Sequence, residues 1–349
     1  MFGFMGIPLI RGLNKKYRLV LIGSGWWGTN ILREAVASGT VDVVGICDVD
    51  QRALKKCAEE IKSWNGGTPK WYTDYRECVR LQEATWGEGF SERVSTAILK
   101  VAQRIGGVAS GAYDESGALS GFVFGMTGWR DGYPVHWSDM LAVRSELRNS
   151  GLGRALKWHQ RRLLLDLGVK TMYWTFDPLE SRNAYLNLNR LGTVVRQYEM
   201  DMYGDTDSPL HSGIGTDRFV PVWEMDSDRV QACWEIENAR RGAEDEAAAG
   251  ACPEIRALGI EAPHVPAALG FELVDGVPHP SEPDLDRDEQ ALAVSIPADI
   301  QGLRAVSLEA AVAWRSATRV VFTDYVARGY EILELERGTP CSRYLMFRP

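Results

Sequence analysis

Two styles of hydrophobic patterning divide the chain. From position 17 to 48 an apolar run (RLVLIG), a glycine-broken turn (GSGWWG), an amphipathic stretch (TNILREAVASG) and a second apolar run (VDVVGICD) follow one another. That order predicts a strand, turn, helix and strand of a parallel sheet. A second amphipathic stretch covers 51–64 and stops at Asn65-Gly66-Gly67, after which KWYTDY offers a third extended run. From Gly106 the period shortens to two: GGVASGAY and LSGFVFGM flank the Asp114-Glu115-Ser116-Gly117 turn, which predicts an antiparallel hairpin behind a helix over 91–104.

The second style continues as an α+β order. VHWSDMLAV reads as a strand, 151–167 as a helix stopped by Gly168, VKTMYWTF as a strand and 181–191 as a short helix. Two further strands are expected near 194–203 and 218–225. RRGAEDEAAAGACPE and HPSEPDLDRDEQ read as exposed loops on composition, and ALAVSIP and YEILELE as strands around a helix over 307–328 with Ser307 as its N-cap. No internal repeat is visible in the letters.

Composition narrows the function classes. The 349 residues carry a formal charge of −8 and no long Lys/Arg run, which excludes a protein that holds nucleic acid by its phosphates. The six cysteines form no CxxC pair, so neither a zinc site nor a disulfide scaffold is predicted, and reduced thiols in a cytoplasm are the expectation. Nothing approaches the roughly 18 uninterrupted apolar residues of a membrane span. Residues 1–16 read as a flexible or docking tail.

The segment LAVRSELRNSGLGRALKWHQ concentrates the candidate chemistry. Arg148, Gly151 and Gly153 stand in R-x-x-G-x-G spacing between a strand and an amphipathic helix. A helix start leaves N–H groups unpaired and carries partial positive charge, and glycines admit a ligand close to the chain, so the loop suits a diphosphate. Arg148 and Arg154 add charge. The alternative is an ordinary glycine-rich helix start.

The arrangement resembles the acyl-CoA motif of the GNAT acetyltransferase superfamily, with Leu141, Ala142 and Val143 as the strand triplet before the loop. The resemblance implies acetyl-CoA as acyl donor, held by Leu141, Ala142, Val143, Arg148, Asn149, Ser150, Gly151, Leu152, Gly153 and Arg154. A second block, WTFDPLESRNAYLNLNRLG, places Asn183 and Gly192 where the superfamily's N-x-x-A-x-x-x-Y-x-x-x-G helix has its asparagine and glycine, and implies that Asn183 also meets CoA. The tyrosine position, which often protonates the departing thiolate in that superfamily, reads Leu188; Tyr185 is the nearest substitute. LKWHQRRLLLDLG, RNAYLNLNRLG and a later WR-x-x-x-R (Trp314, Arg315, Arg319) are similar to a poorly described bacterial branch of predicted GNAT acetyltransferases.

Acyl transfer to an amine needs a base and a carbonyl-polarising donor. His136 and Asp139 lie with Ser138 on the strand leading to the loop, and Asp177 ends the next strand, where the two strands should part to admit pantetheine. Each has a structural alternative: a satisfied strand histidine for His136, a turn-forming aspartate before Pro178 for Asp177. His159 reads as structural.

The first unit carries its own motif. Gly23, Gly25 and Gly28 form GxGxxG after a strand, and Asp48 closes the next strand as a ribose-hydroxyl acceptor should. LIGSGWWGTN and ICDVDQRAL resemble the start of the Gfo/Idh/MocA oxidoreductases over about 75 residues, which implies NAD(P) at these positions. That family's E-K-P motif is missing, and no lysine follows Lys170.

The combined expectation is an α/β and α+β chain. A truncated Rossmann-like βαβαβ unit (17–78) precedes a GNAT mixed-sheet acyltransferase core (79–225) and an α+β C-terminal extension (226–349). The partners are a small-molecule acyl acceptor and, for a homodimer, a second copy. The competing readings are an NAD(P)-dependent oxidoreductase and a non-catalytic CoA- or dinucleotide-binding protein.

Overall fold

The computed structural model describes residues 17–22, 24, 26–37, 39, 41–48, 51–65, 67–72, 80, 82–84, 94–204, 213–240 and 264–349. The expected tail, the acidic stretch after Arg240, and Gly23 and Gly25 of the glycine motif lie outside them.

The first unit is β1 (Tyr17–Ile22), α1 (Trp26–Ala37), β2 (Val41–Cys47), α2 (Gln51–Asn65) and β3 (Lys70–Tyr72). Its three strands lie in the order β1-β2-β3, all parallel. Leu32, Val43, Ile46, Leu54 and Ile61 bury the apolar faces of the helices against the sheet.

The chain continues with α3 (Thr96–Arg104), β4 (Val108–Tyr113), β5 (Leu119–Arg130), β6 (Tyr133–Val143), α4 (Leu152–Asp166) and β7 (Thr171–Tyr173). Next come α5 (Ser181–Tyr185, extended by a π-helical turn Leu186–Arg190), β8 (Val194–Glu199), β9 (Arg218–Glu224) and α6 (Asp228–Arg240). The last stretch holds β10 (Ala267–Leu269), the hairpin β11 (Phe271–Val274) and β12 (Val277–Pro280), β13 (Ala291–Pro297), α7 (Ile300–Val306), α8 (Leu308–Ala327), β14 (Glu331–Glu336) and β15 (Cys341–Phe347). Ser307 caps α8 as the sequence predicts, its hydroxyl accepting from the Ala310 N–H at 3.1 Å.

One ten-stranded sheet holds most of these strands, in the order β10-β13-β15-β14-β8-β9-β7-β6-β5-β4. Strands from both sides of position 226 share it. The sheet also contains a repeat that the letters hide. From β6 inward the pairing runs parallel to β7, antiparallel to β9 and antiparallel to β8. From β10 inward it runs parallel to β13, antiparallel to β15 and antiparallel to β14. The two half-sheets also share one chain order, and they meet at the antiparallel β8–β14 pair through Val195 and Ile332. The copies differ in their crossovers: β6 reaches β7 through α4, a helical connection suited to parallel neighbours, whereas β10 reaches β13 through a hairpin and an exposed loop. Patterning found no repeat because it is carried by topology, with different residues filling equivalent places.

Packing joins the halves. Phe219 on β9, Phe322 on α8 and Tyr344 on β15 form an edge-to-face cluster with ring centroids 4.7–5.5 Å apart, each pair worth about 0.5–1.5 kcal/mol beyond its buried area. On α4, Trp158 packs edge-on against Trp223 of β9 at 5.2 Å and beside Trp234 of α6 at 5.0 Å. Helix α6 has no counterpart in the sequence reading, because its apolar Val230, Cys233, Trp234 and Ile236 are interspersed with charges.

Candidate active site

The parallel strands β6 and β7 are paired only at Val135–Thr171, His136–Met172 and Trp137–Tyr173. Beyond Trp137, β6 runs on to Val143, and the continuation of β7 stays with β9 through the Phe176–Phe219 bridge. A fork therefore opens at Ser138 and Trp174. Between Ser138 and Val143, the N–H and C=O groups of β6 that point away from β5 have no strand to meet.

Past the end of β6 the chain makes a 3₁₀ turn at Ser145–Leu147 and enters α4. Arg148 is extended, Asn149 has φ 64° and Gly151 has φ 85°, a left-handed bend that brings the start of α4 back towards the end of β6. The N–H groups of Leu152, Gly153 and Arg154 have no carbonyl acceptor among the described residues. A Cβ on Gly153 would lie 3.3 Å from Leu141 Cδ2, so a bare Cα lets the helix start press on β6. Arg148 is exposed and makes no ion pair among the described residues. Arg154 turns to α6 instead, its Nε 2.9 Å from Glu237 Oε2, though the N–H is not aimed at that oxygen and neither atom makes a hydrogen bond. Arg190 lies 3.6 Å from the same carboxylate oxygen.

The wall of the fork on the side of α4 and α5 is polar. Lys157 Nζ donates to Ser138 Oγ at 2.7 Å and stands 3.9 Å from the centre of the Trp174 ring. Ser138 Oγ donates to Gln160 Oε1 at 3.0 Å, and Gln160 Nε2 donates to His136 Nε2 at 3.0 Å. Thr127 Oγ1 donates to the Gly106 carbonyl and so accepts from His136 Nδ1 at 3.0 Å, which fixes the Nδ1–H tautomer. On α5, Asn183 Oδ1 accepts from Asn187 Nδ2 at 3.4 Å, and Asn187 Oδ1 accepts from Trp174 Nε1 at 3.2 Å.

Of the four residues expected to do chemistry, only Asp139 sits at the mouth of the fork with a free carboxyl. Phe124 faces Met140 and Gly125 faces Ser138, so Asp139 is the extra residue of a β-bulge, and a bulge re-aims a side chain. Ser138 and Met140 are buried on either side of it while Asp139 is exposed. The surrounding protein still raises its carboxyl above the ordinary range by desolvation.

His136 is a correction to the sequence reading. Fully buried, with both ring nitrogens engaged, it is held neutral by burial and the nearby Lys157 charge, its titration lowered to about 3. Asp177 is a second correction. Both its oxygens accept from Arg315 Nη2, at 2.8 and 2.7 Å, Arg218 lies 3.6 Å away, and its Oδ1 also accepts the Leu179 N–H. It clamps α8 to the segment that follows β7. Tyr185 is a third. It lies about 200° around the helix from Asn183, packs against the C-terminal core and carries the Arg337 guanidinium 3.9 Å over its ring. Leu188, at the tyrosine position of the resemblance, is buried in that core as well.

In the first unit Asp48 is buried, and its Oδ2 accepts the Ser24 N–H at 2.8 Å. Gly28 lies within α1.

No protein-family model matches the sequence, and no curated protein matches it. Among solved structures, the chain is similar to the ribosomal-protein-S18-alanine N-acetyltransferase from Escherichia coli at 18% identity, covering 44% of this chain and 90% of that one, with a TM-score of 0.35. It is also similar to a GNAT family acetyltransferase from Elizabethkingia anophelis with acetyl-CoA bound, at 16% identity over 37% of this chain and 83% of that one, with a TM-score of 0.31. At that level of overlap the functional reading rests on the geometry of the fork and the loop.

Proposed function

We propose that the chain is an acyl-CoA-dependent N-acyltransferase that moves an acetyl group from acetyl-CoA to a small amine. The observation that carries this reading is the coincidence of two features on β6. A helix start with three unpaired N–H groups stands at its end, and a fork that strips β6 of one neighbour stands a few residues earlier. The first suits the diphosphate of CoA. The second leaves main-chain donors and acceptors for the amides of pantetheine, and Asn183 lines the same opening.

Asp139 is the proposed base. A carboxyl raised by desolvation accepts a proton from an amine more readily than an ordinary one, and the bulge turns it outward at the fork. The reaction is thioester aminolysis: the acceptor nitrogen bonds to the carbonyl carbon, the C–S bond breaks and the nitrogen's proton passes to Asp139, directly or through water. Dinucleotide binding by the first unit finds no such support, since the buried Asp48 carboxylate already holds the Ser24 N–H.

Thermal unfolding with separate ligands tests the reading. Acetyl-CoA and CoA are expected to stabilise the chain, by about 2.7 kcal/mol at a hundredfold excess over Kd, with NAD and NADP leaving the unfolding temperature unchanged. Stabilisation by NAD or NADP alone would replace the acyltransferase reading with the oxidoreductase one.

A further inference from the structure

Lys157 is a lysine that the fold has buried without a counter-ion. It projects from the second turn of α4, is 5% exposed, and makes no ion pair with any carboxylate among the described residues. From β6 it meets Ser138 and, beyond Gln160, the neutral His136; from β7 it meets the Trp174 ring and Met172 Sδ at 4.0 Å. Asp139 on β6 and Glu237 on α6 make no bond to it among the described residues. A buried ammonium left unpaired is costly, by several kcal/mol in general, and cores rarely keep one.

Its place gives a reason. Ser138 of β6 and Trp174, directly after β7, are the first residues past the last pair of the two strands, so the amine stands in the crotch of the fork. From Val143, beside the helix start, back to Ser138 the strand spans the four steps of β5 from Gly121 to Gly125, roughly 14 Å, within the reach of an extended pantetheine arm. A diphosphate on the N–H groups of α4 with its arm laid along β6 brings the sulfur to this amine.

We propose that the Lys157 ammonium is the counter-charge that holds the CoA thiolate released at the fork. The inference rests on the acyltransferase reading. When the acceptor nitrogen bonds to the carbonyl carbon, the C–S bond breaks and its electron pair stays on sulfur. The Lys157 ammonium holds that thiolate as an ion pair until the sulfur takes a proton from water as CoA leaves, while Asp139 carries the proton lost by the nitrogen and returns it to solvent. Tyrosine cannot supply that proton from α5, since Tyr185 faces Arg337 and position 188 is a buried leucine. A cation without a partner before reaction and with one at the moment of bond cleavage favours the charge-separated state over the ground state. Burial lowers the amine well below its ordinary titration range, and a thiolate beside it favours the charged form. Ser138 holds the amine in place.

The test reads the thiol of bound CoA and needs no acceptor. The ultraviolet absorbance of the thiolate is followed against pH with CoA bound to the wild type, Lys157→Met and Ser138→Ala, with calorimetric titrations reporting affinity. The wild type is expected to hold about tenfold more thiolate near neutral pH than free CoA, and Lys157→Met to lose that excess while unfolding at the same temperature or higher. Ser138→Ala removes the anchor and no charge, so its thiolate excess is expected to shrink in the same direction, which covers the case of a poorly folded methionine variant. Equal thiol titrations in wild type and Lys157→Met, both binding CoA, would overturn the role of Lys157 and leave the acyltransferase reading standing. Failure of the wild type to bind CoA or acetyl-CoA would overturn both.

Discussion

Gly151→Asp and Gly153→Asp are each expected to weaken CoA binding by at least about a hundredfold, measured by calorimetry with CoA and with acetyl-CoA. Both residues flank the N–H groups that face the ligand. A carboxylate there meets a diphosphate of like charge, a juxtaposition that generally costs several kcal/mol, and 1.4 kcal/mol is already a factor of ten. Bulk adds to charge: Gly151 sits at φ 85° and a Cβ on Gly153 would press on Leu141. Gly151→Ala separates the two contributions, since it keeps the bulk and omits the charge; a milder loss is expected from it. Affinities unchanged in both aspartate variants would remove the ligand from this loop and the proposed function with it.

Asp139→Asn is expected to lower kcat by about 10²- to 10⁴-fold, the usual worth of a general base, with little change in KM for acetyl-CoA. The measurement is CoA release detected with a thiol reagent, using whichever primary amine turns over fastest in a screen. The sign of the pH dependence follows from the direction in which the carboxyl is displaced. The base works only when ionised, and its folded carboxyl is raised by desolvation. The acid limb of the kcat profile should therefore lie above the ordinary carboxylate range, and the residual activity of Asp139→Asn should lack that limb. Stability runs the other way: the protonated carboxyl favours folding fully below its unfolded value, and that contribution is lost as pH rises through the raised folded value. At neutral pH the asparagine variant should thus be at least as stable as the wild type. A variant with full turnover would leave Asp139 a mere bulge residue.

Much of this site is legible in the letters alone. The R-x-x-G-x-G spacing marks the helix start, and the apolar strand before it with the VKTMYWTF run after the helix implies a parallel pair, whose parting is implied by the resemblance alone. What fails has physical causes. His136 and Asp177 have residue types that do chemistry, but sequence does not show that Gln160 and Thr127 saturate the first, or that Arg315, 138 positions away, clamps the second. Lys157 and Gln160 carry a readable signal. Gly153, Lys157, Gln160 and Leu164 fall at helical spacing on one stripe, so two polar residues stand on a face that must be buried. The competing stripe through Leu156, His159 and Leu163 obscures it, and His159 is only half-buried. The duplicated half-sheet is out of reach because strand order is a property of pairing.

That duplication decides where the chain can be cut. A protein shortened to residues 79–225 would keep the loop and the fork but lay bare the rim of β8 that now meets β14 at Val195 and Ile332, the kind of unsheathed border that invites sticking to other chains. It would also take Arg315 away from Asp177 and leave Arg218, 3.6 Å off, as the cation beside that carboxylate. The second half-sheet is thus a built-in partner that occupies the boundary a lone half would have to shield by meeting another molecule.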